Sequence, residues 1–325
     1  MPLRNAAQYL EDALSSFLIA DGLQAVELII VDDHSTDDSR LIIDHFIEQH
    51  QLPAIILDGT GEGPGLARNL GISHARGAYL VFLDADDIID MERVIGLCQQ
   101  MQTLSCDLAI YNHCRLYPSG ELRANKKGYL LESSDGKLFS GSEKNFLLEN
   151  FNVAWNKIYS TNLVESYKLT FPAGIYEDIP WSIGCLAAAE KVMTDERIMY
   201  TYRQHRKSTL KLKGPQHLVL LDQYQFILNF LYHHSSHIDF IQEVKQRAIQ
   251  HAFLIAFERS RMKRKLRGQS FSRILRFIAK NSCWRETLKN NKLTYSERLC
   301  LFFHNDFLLE YPKIKEKIKK RLKKP

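Results

Sequence analysis

Several short stretches of this 325-residue chain place carboxylates where chemistry needs them. In Leu83-Asp84-Ala85-Asp86-Asp87 the acids end an apolar run, and carboxylates two positions apart can converge there on one hard divalent cation such as Mg²⁺ or Mn²⁺. Such an ion acts as a Lewis acid that makes a diphosphate a good leaving group. The structural alternative is a solvated acidic turn capping the helix that starts near Met91. An aspartyl-nucleophile phosphatase also ends a strand in DxD, but it normally has Thr two residues on, and Ile88 follows Asp87 here. A second acidic stretch, Val31-Asp32-Asp33-His34-Ser35-Thr36-Asp37-Asp38-Ser39, ends another apolar run. Helix capping accounts for Ser35 to Asp38. It does not account for Asp32 and Asp33, whose carboxylates could accept hydrogen bonds from a nucleobase imide or ribose hydroxyls. Between the two lies Gly61-Glu62-Gly63-Pro64-Gly65-Leu66-Ala67-Arg68-Asn69, a glycine-rich loop opening a helix that lets backbone approach a ligand closely. It is neither a dinucleotide fingerprint nor a Walker loop. Arg68 either meets a base or phosphate, or is a surface arginine.

These side chains need elements to hold them. Residues 25–33 (AVELIIVDD), 53–58 (PAIILD) and 79–83 (YLVFL) are short β-branched or apolar runs, and 106–111 is a fourth candidate strand. Residues 39–50 and 65–74 read as helices between them. The alternation predicts an α/β fold, a mostly parallel sheet with helices on both faces, whose ligands bind beyond the carboxyl ends of the strands. Both acidic clusters fall there. Residues 145–209 are mixed in character. From Pro215 onward the pattern turns helical, so the expected division is a transferase-like domain over 1–210 and a helical C-terminal region over 211–325.

The motifs together resemble glycosyltransferase family 2, enzymes of the GT-A fold. VDDHSTDDS is similar to the family's nucleotide-binding VDDGSTD, GPGLARNLGI to its G-x-x-x-A-R-N-x-G, and LDADD to its DxD. Ala154-Trp155-Asn156-Lys157-Ile158-Tyr159 and Phe171 to Asp178 are similar to its "WNKxY" and "ED" segments. The resemblance spans residues 2–209, and the ordered co-occurrence carries more weight than any one motif. It implies an inverting, metal-dependent transfer of a hexosyl or N-acetylhexosaminyl group from a nucleotide diphosphate sugar, with UDP as the expected nucleotide. The acceptor would be a hydroxyl of a glycan or lipid-linked molecule, in surface polysaccharide, capsule or lipopolysaccharide synthesis. Asp32, Asp33 and Arg68 would hold the nucleoside. Asp84, Asp86 and Asp87 would bind ribose, metal and diphosphate between them, with Mn²⁺ or Mg²⁺ as cofactor. Asp178 would be the general base, and Glu177 would orient the acceptor or its loop; their structural alternative is an acidic helix N-terminus before Pro180. In the closing segment Tyr202 to Thr209, His205 is a candidate metal ligand and Arg203 a diphosphate partner. His233, His234 and His237 fit a solvated helix face better than a metal site.

Two departures stand out. The family opens with an apolar strand, whereas this sequence begins Met1-Pro2-Leu3-Arg4-Asn5, matching only that strand's end and its turn. The first strand is therefore expected to be missing, which would leave neighbouring strands unpartnered. His34 stands where the family carries glycine.

Composition is that of an ordinary globular protein, with 45% hydrophobic and 25% charged residues. No run is long and apolar enough to span a bilayer and no signal-peptide pattern opens the chain, so a cytoplasmic location is expected. The six cysteines form no CxxC pair and read as free buried thiols. The net charge of +5 is concentrated in residues 313–325, where eight basic residues face one acid. Ile314, Ile318 and Leu322 recur there every four residues, so the tail can lie on an anionic membrane surface; residues 259–280 share this basic, apolar-interleaved character. The near-neutral remainder argues against a nucleic-acid partner. Two other classes remain open: a non-catalytic or truncated nucleotide-sugar-binding homologue, and a nucleotidyltransferase.

Overall fold

The computed structural model describes residues 1–18, 26–205, 213–235 and 237–281. The basic tail, Cys283, Cys300 and residues 206–209 lie outside the described residues. The first half runs β1 (Pro2–Leu3), α1 (Ala7–Leu18), β2 (Leu28–Asp32), α2 (Ser39–His50), β3 (Ala54–Asp58), α3 (Pro64–His74), β4 (Tyr79–Val81), β5 (Ile88–Ile89) and α4 (Met91–Leu104). The middle continues with β6 (Leu108–Leu116), β7 (Leu122–Ala124), α5 (Tyr129–Glu132), β8 (Leu138–Ser140), β9 (Lys157–Ser160), α6 (Thr161–Ser166), α7 (Asp178–Ala188) and β10 (Lys191–Arg203). Three longer helices follow: α8 (Leu220–His234), α9 (Ile238–Phe257) and α10 (Arg267–Lys280).

The predicted alternation is present, divided over two sheets. The first is parallel throughout, in the order β1-β2-β3. The second has the spine β4-β9-β6-β10-β5 and mixes a long parallel β6–β10 pairing with antiparallel neighbours. The expectation of a missing first strand is amended. Pro2 and Leu3 pair with Val31 and Asp32, and the Met1 amino group donates to the Ile29 carbonyl, so the edge of β2 carries a short β1. Burial lowers the pKa of that amino group to about 5.

Contacts group the chain into two compact units. One joins Met1–Leu212 with Asp222–Ile241, and the other joins Lys213–Leu221 with the chain from Gln242 onward. Residues 222–241 belong with the first unit because Gln223 donates to the carbonyls of Ala173 and Ile175, while Phe230 meets Tyr167 edge-on. The core of this unit centres on Trp181, stacked on Phe171 at 4.1 Å and met edge-on by Phe82 and Tyr159. Burying rings of this size contributes about 2–3 kcal/mol each. It anchors α7, whose first residue is Asp178. In the second unit Phe253, Ile274, Phe277 and Ile278 are buried, and Lys245 donates to the Asn281 carbonyl. Among the described residues, no helix is long and apolar enough to cross a membrane.

Candidate active site

Two of the acidic stretches and the glycine-rich loop meet around one arginine. Arg68 lies one turn into α3 and is 4% exposed. Its Nη2 donates to Asp84 Oδ1 at 2.7 Å, and its Nη1 donates to Glu177 Oε1 at 2.9 Å and to Asp178 Oδ1 at 3.0 Å. Residues more than a hundred positions apart are gathered by one planar, always-charged fork. Burial works against the charged guanidinium, but Asp178, Asp84 and Glu177 outweigh it and push its pKa well above the ordinary value. The approach is close. A Cβ on Gly65 would stand 2.9 Å from Glu177 Cγ and 3.0 Å from the Pro172 carbonyl, so only glycine fits at that point of α3. Asn69 adds a reciprocal pair of bonds to the Phe171 backbone, which ties the 171–178 segment to the same helix.

Three carboxylates against one guanidinium leave the cluster short of positive charge. Burial and the neighbouring Asp178 raise the pKa of Glu177 to about 7, with Arg68 opposing. Burial also raises Asp178, against the pull of Arg68. The cluster therefore gains or loses a proton around neutrality. Lys157 lies behind it, buried, with its ammonium donating to Phe151 O, Val153 O and Asn156 Oδ1.

The remaining strand-end acids separate. Asp86 is a third exposed and its Oδ2 lies 2.6 Å from His205 Nε2, so these two expected metal ligands do meet. Asp87 turns inward. Fully buried, it accepts from Tyr200 Oη at 2.9 Å and from the Arg203 amide at 2.7 Å. Burial, with Asp86 and Asp84 beside it, raises its pKa well above the carboxylate range. These bonds brace the loop. Tyr200, whose Oη also receives the Asp84 amide, is a site residue that sequence reasoning missed. Arg203 is held by the Asp86 carbonyl and by Asp12, and its guanidinium lies over the Tyr9 ring. The helix that follows is capped by Asp90, through the Arg93 amide, and not by the DxD acids.

Asp32 and Asp33 lie apart from the arginine cluster, at the end of β2. Asp33 is 2% exposed and accepts the amides of Gly61 at 2.7 Å and Gly63 at 2.8 Å. Asp32 accepts the Ser35 amide at 2.9 Å. His34, in the family's glycine position, takes a left-handed φ of 63°.

Comparison with known proteins agrees with this geometry. The family model described as glycosyl transferase family 2 matches residues 1–167. An uncharacterized glycosyltransferase, EpsJ of Bacillus subtilis, is 27% identical over 245 residues, 72% of this chain and 69% of its own length. GlyG of Streptococcus pneumoniae, a glycosyltransferase, is 34% identical over 113 residues, 35% of this chain and 37% of its own. Among solved structures, S. aureus TarS 1-349 in complex with UDP-GlcNAc superposes with a TM-score of 0.69 at 17% identity, over 85% of this chain and 79% of that one. The mannosyltransferase PcManGT from Pyrobaculum calidifontis, in complex with GDP-Man and Mn²⁺, gives 0.52 at 13% identity over 96% and 79%. With the matched model covering more than half of the sequence, the chain belongs to glycosyl transferase family 2.

Proposed function

We propose that the protein transfers a sugar from a nucleotide diphosphate donor to an acceptor hydroxyl with inversion, and that Asp178 is the general base. The observation that carries this is the convergence of Asp84, Glu177 and Asp178 on Arg68. In the step, the acceptor hydroxyl gives its proton to an Asp178 oxygen. Its own oxygen bonds the anomeric carbon as the bond from that carbon to the diphosphate oxygen breaks. A single displacement inverts the configuration. Arg68 and Lys157 favour the ionised Asp178, while the cluster's proton is best assigned to Glu177, which lies deeper. Asp32 and Asp33 shape the loop that would receive the nucleoside, and UDP is the nucleotide favoured by the sequence motifs and by the UDP-GlcNAc held by TarS.

The donor set fits a divalent ion. Asp86 and His205 offer one carboxylate and one imidazole side by side, and both are partly open. Among the described residues no ready-made group of three or more ligands exists, so Mn²⁺ or Mg²⁺ would be held by these two with donor oxygens completing the shell. When bound, the ion supplies Lewis-acid stabilisation to the leaving diphosphate. Arg203, held against the Asp86 backbone, is positioned for the same charge. For the acceptor and location we favour a glycan or lipid-linked molecule of surface polysaccharide or lipopolysaccharide synthesis, met at the inner membrane face with help from the basic tail.

Nucleoside diphosphate release from UDP-sugars, assayed with and without Mn²⁺ or Mg²⁺, tests the reading. Turnover should need the ion and vanish in Asp86→Ala. Metal-independent turnover would overturn it, and pyrophosphate release would identify a nucleotidyltransferase instead.

A further inference from the structure

Alternation along β6 puts Tyr111, His113 and Arg115 on one face of the second sheet. Tyr200 and Tyr202 of β10 stand in register beside His113 and Arg115. Trp155 covers this face. It stacks on Tyr200 at 4.4 Å, tilts against Tyr202 at 5.2 Å and meets His113 edge-on at 4.9 Å. Phe151 stacks on His113, and the Arg115 guanidinium lies 5.9 Å above the Phe151 ring. Through Tyr200, which bonds both Asp84 and Asp87, this wall is continuous with the strand-end acids.

The polar groups of the wall are unspent. Arg115 is half-buried, makes no ion pair among the described residues, and its buried Nε has no hydrogen-bond partner there. His113 is fully buried with both ring nitrogens unpartnered among the described residues. Burial, with Arg115 and Lys157 nearby, lowers its pKa to about 3, so it adds no competing charge. An unpaired, partly desolvated guanidinium is costly unless an anion meets it, and a planar fork suits phosphate or carboxylate. The half-buried rings of Phe151 and Tyr202 beside it, backed by the buried Trp155, offer an apolar platform for a sugar ring.

We propose that Arg115 and the rings of Phe151 and Tyr202 form an acceptor subsite that takes a saccharide bearing an oxyanion, a phosphate or a carboxylate. The assignment to the acceptor rests on the sugar-transfer reading above; the anion site itself rests on the geometry of this wall.

Isothermal titration of the full chain with glucose 6-phosphate, with glucose as the uncharged control, tests it, because the readout does not depend on turnover. In the presence of saturating UDP, glucose 6-phosphate should bind at least about tenfold more tightly than glucose, the size expected of one charge-assisted contact. Arg115→Gln should abolish that preference and Arg115→Lys should keep most of it, with both variants melting as cooperatively as the parent. Equal affinity for the two sugars in the parent, or an unchanged preference in Arg115→Gln, would overturn the subsite. Loss of glucose 6-phosphate binding when UDP is added, with UDP itself bound more weakly by Arg115→Gln, would assign the guanidinium to the donor's diphosphate and overturn the acceptor assignment. Anion binding without any donor turnover would instead leave the subsite standing and remove the transferase reading.

Discussion

Two sets of acids end strands in the first unit, and they are used in opposite ways. At the end of β2, Asp32 and Asp33 spend their oxygens on backbone amides of the chain that follows, and Asp33 holds the 59–63 loop through Gly61 and Gly63. Beyond β4, Asp84 and Asp86 face side chains, Arg68 and His205, that arrive from distant segments. The first set is spent on backbone amides. In the second, Asp84 is joined by Glu177 and Asp178 from the start of α7, and three carboxylates on one guanidinium leave the cluster unbalanced. Hydrogen bonds from fixed amides shape a loop, whereas a charge-poor cluster of coupled acids can trade protons with a substrate.

The sharpest way to test this contrast is to remove one carboxylate from the arginine cluster and one from the loop. Asp178→Asn should lower turnover about 10²–10⁴-fold, the range for losing a positioned base, while the UDP dissociation constant stays within a few-fold. Steady-state kinetics paired with calorimetry reads both numbers, and a fall in binding equal to the fall in turnover would remove the distinction. Asp33→Ala should act on folding instead. It strands two half-buried amides, a loss of about 2 kcal/mol that would appear as a lower denaturation midpoint. Full stability in that variant would mean the loop closes without its acid.

Much of this was readable beforehand, and the limits have a physical pattern. Helix α2 begins and ends at Ser39 and His50 as expected, because its periodicity and its left-handed end at Gln51 are both local signals. The acids of LDADD fall at a strand end as expected, yet their roles divide by burial. Nothing in the motif says that Asp87 points into the core while Asp86 stays open, since that depends on Tyr200, 113 residues away. Arg68 faces Asp84, Glu177 and Asp178, a partnership across separations of up to 110 residues that no single motif announces. Asn69, the next residue, ties the two segments together through paired bonds to Phe171. The mixed second sheet was equally hidden, because short strands such as Lys157–Ser160 acquire their direction from distant partners.

Charge imbalance gives the arginine cluster a pH signature. In the folded chain Glu177 has a pKa of about 7, above the ordinary 4.5. A raised carboxyl pKa means that the folded state binds the proton more tightly. The stability it contributes is full below about pH 4.5 and is lost as pH rises through about 7. Glu177→Gln should flatten that decline, by roughly 2 kcal/mol between pH 5 and 8, in urea melts taken across the interval. An unchanged slope would place the proton elsewhere in the cluster.

The smallest effect belongs to a third strand-end acid, Asp58, which ends β3 beside Asp32 in register. By sequence it looks like the others, an acid closing an apolar run. Its side chain is 86% exposed and its partner Arg40, at 3.1 Å, is nearly half exposed. Water and salt screen such a pair, so Asp58→Asn should change stability by no more than about 0.5 kcal/mol and leave turnover untouched. A loss as large as that from Asp33→Ala would mean that position at a strand end, and not burial and partner, sets the worth of an acid here.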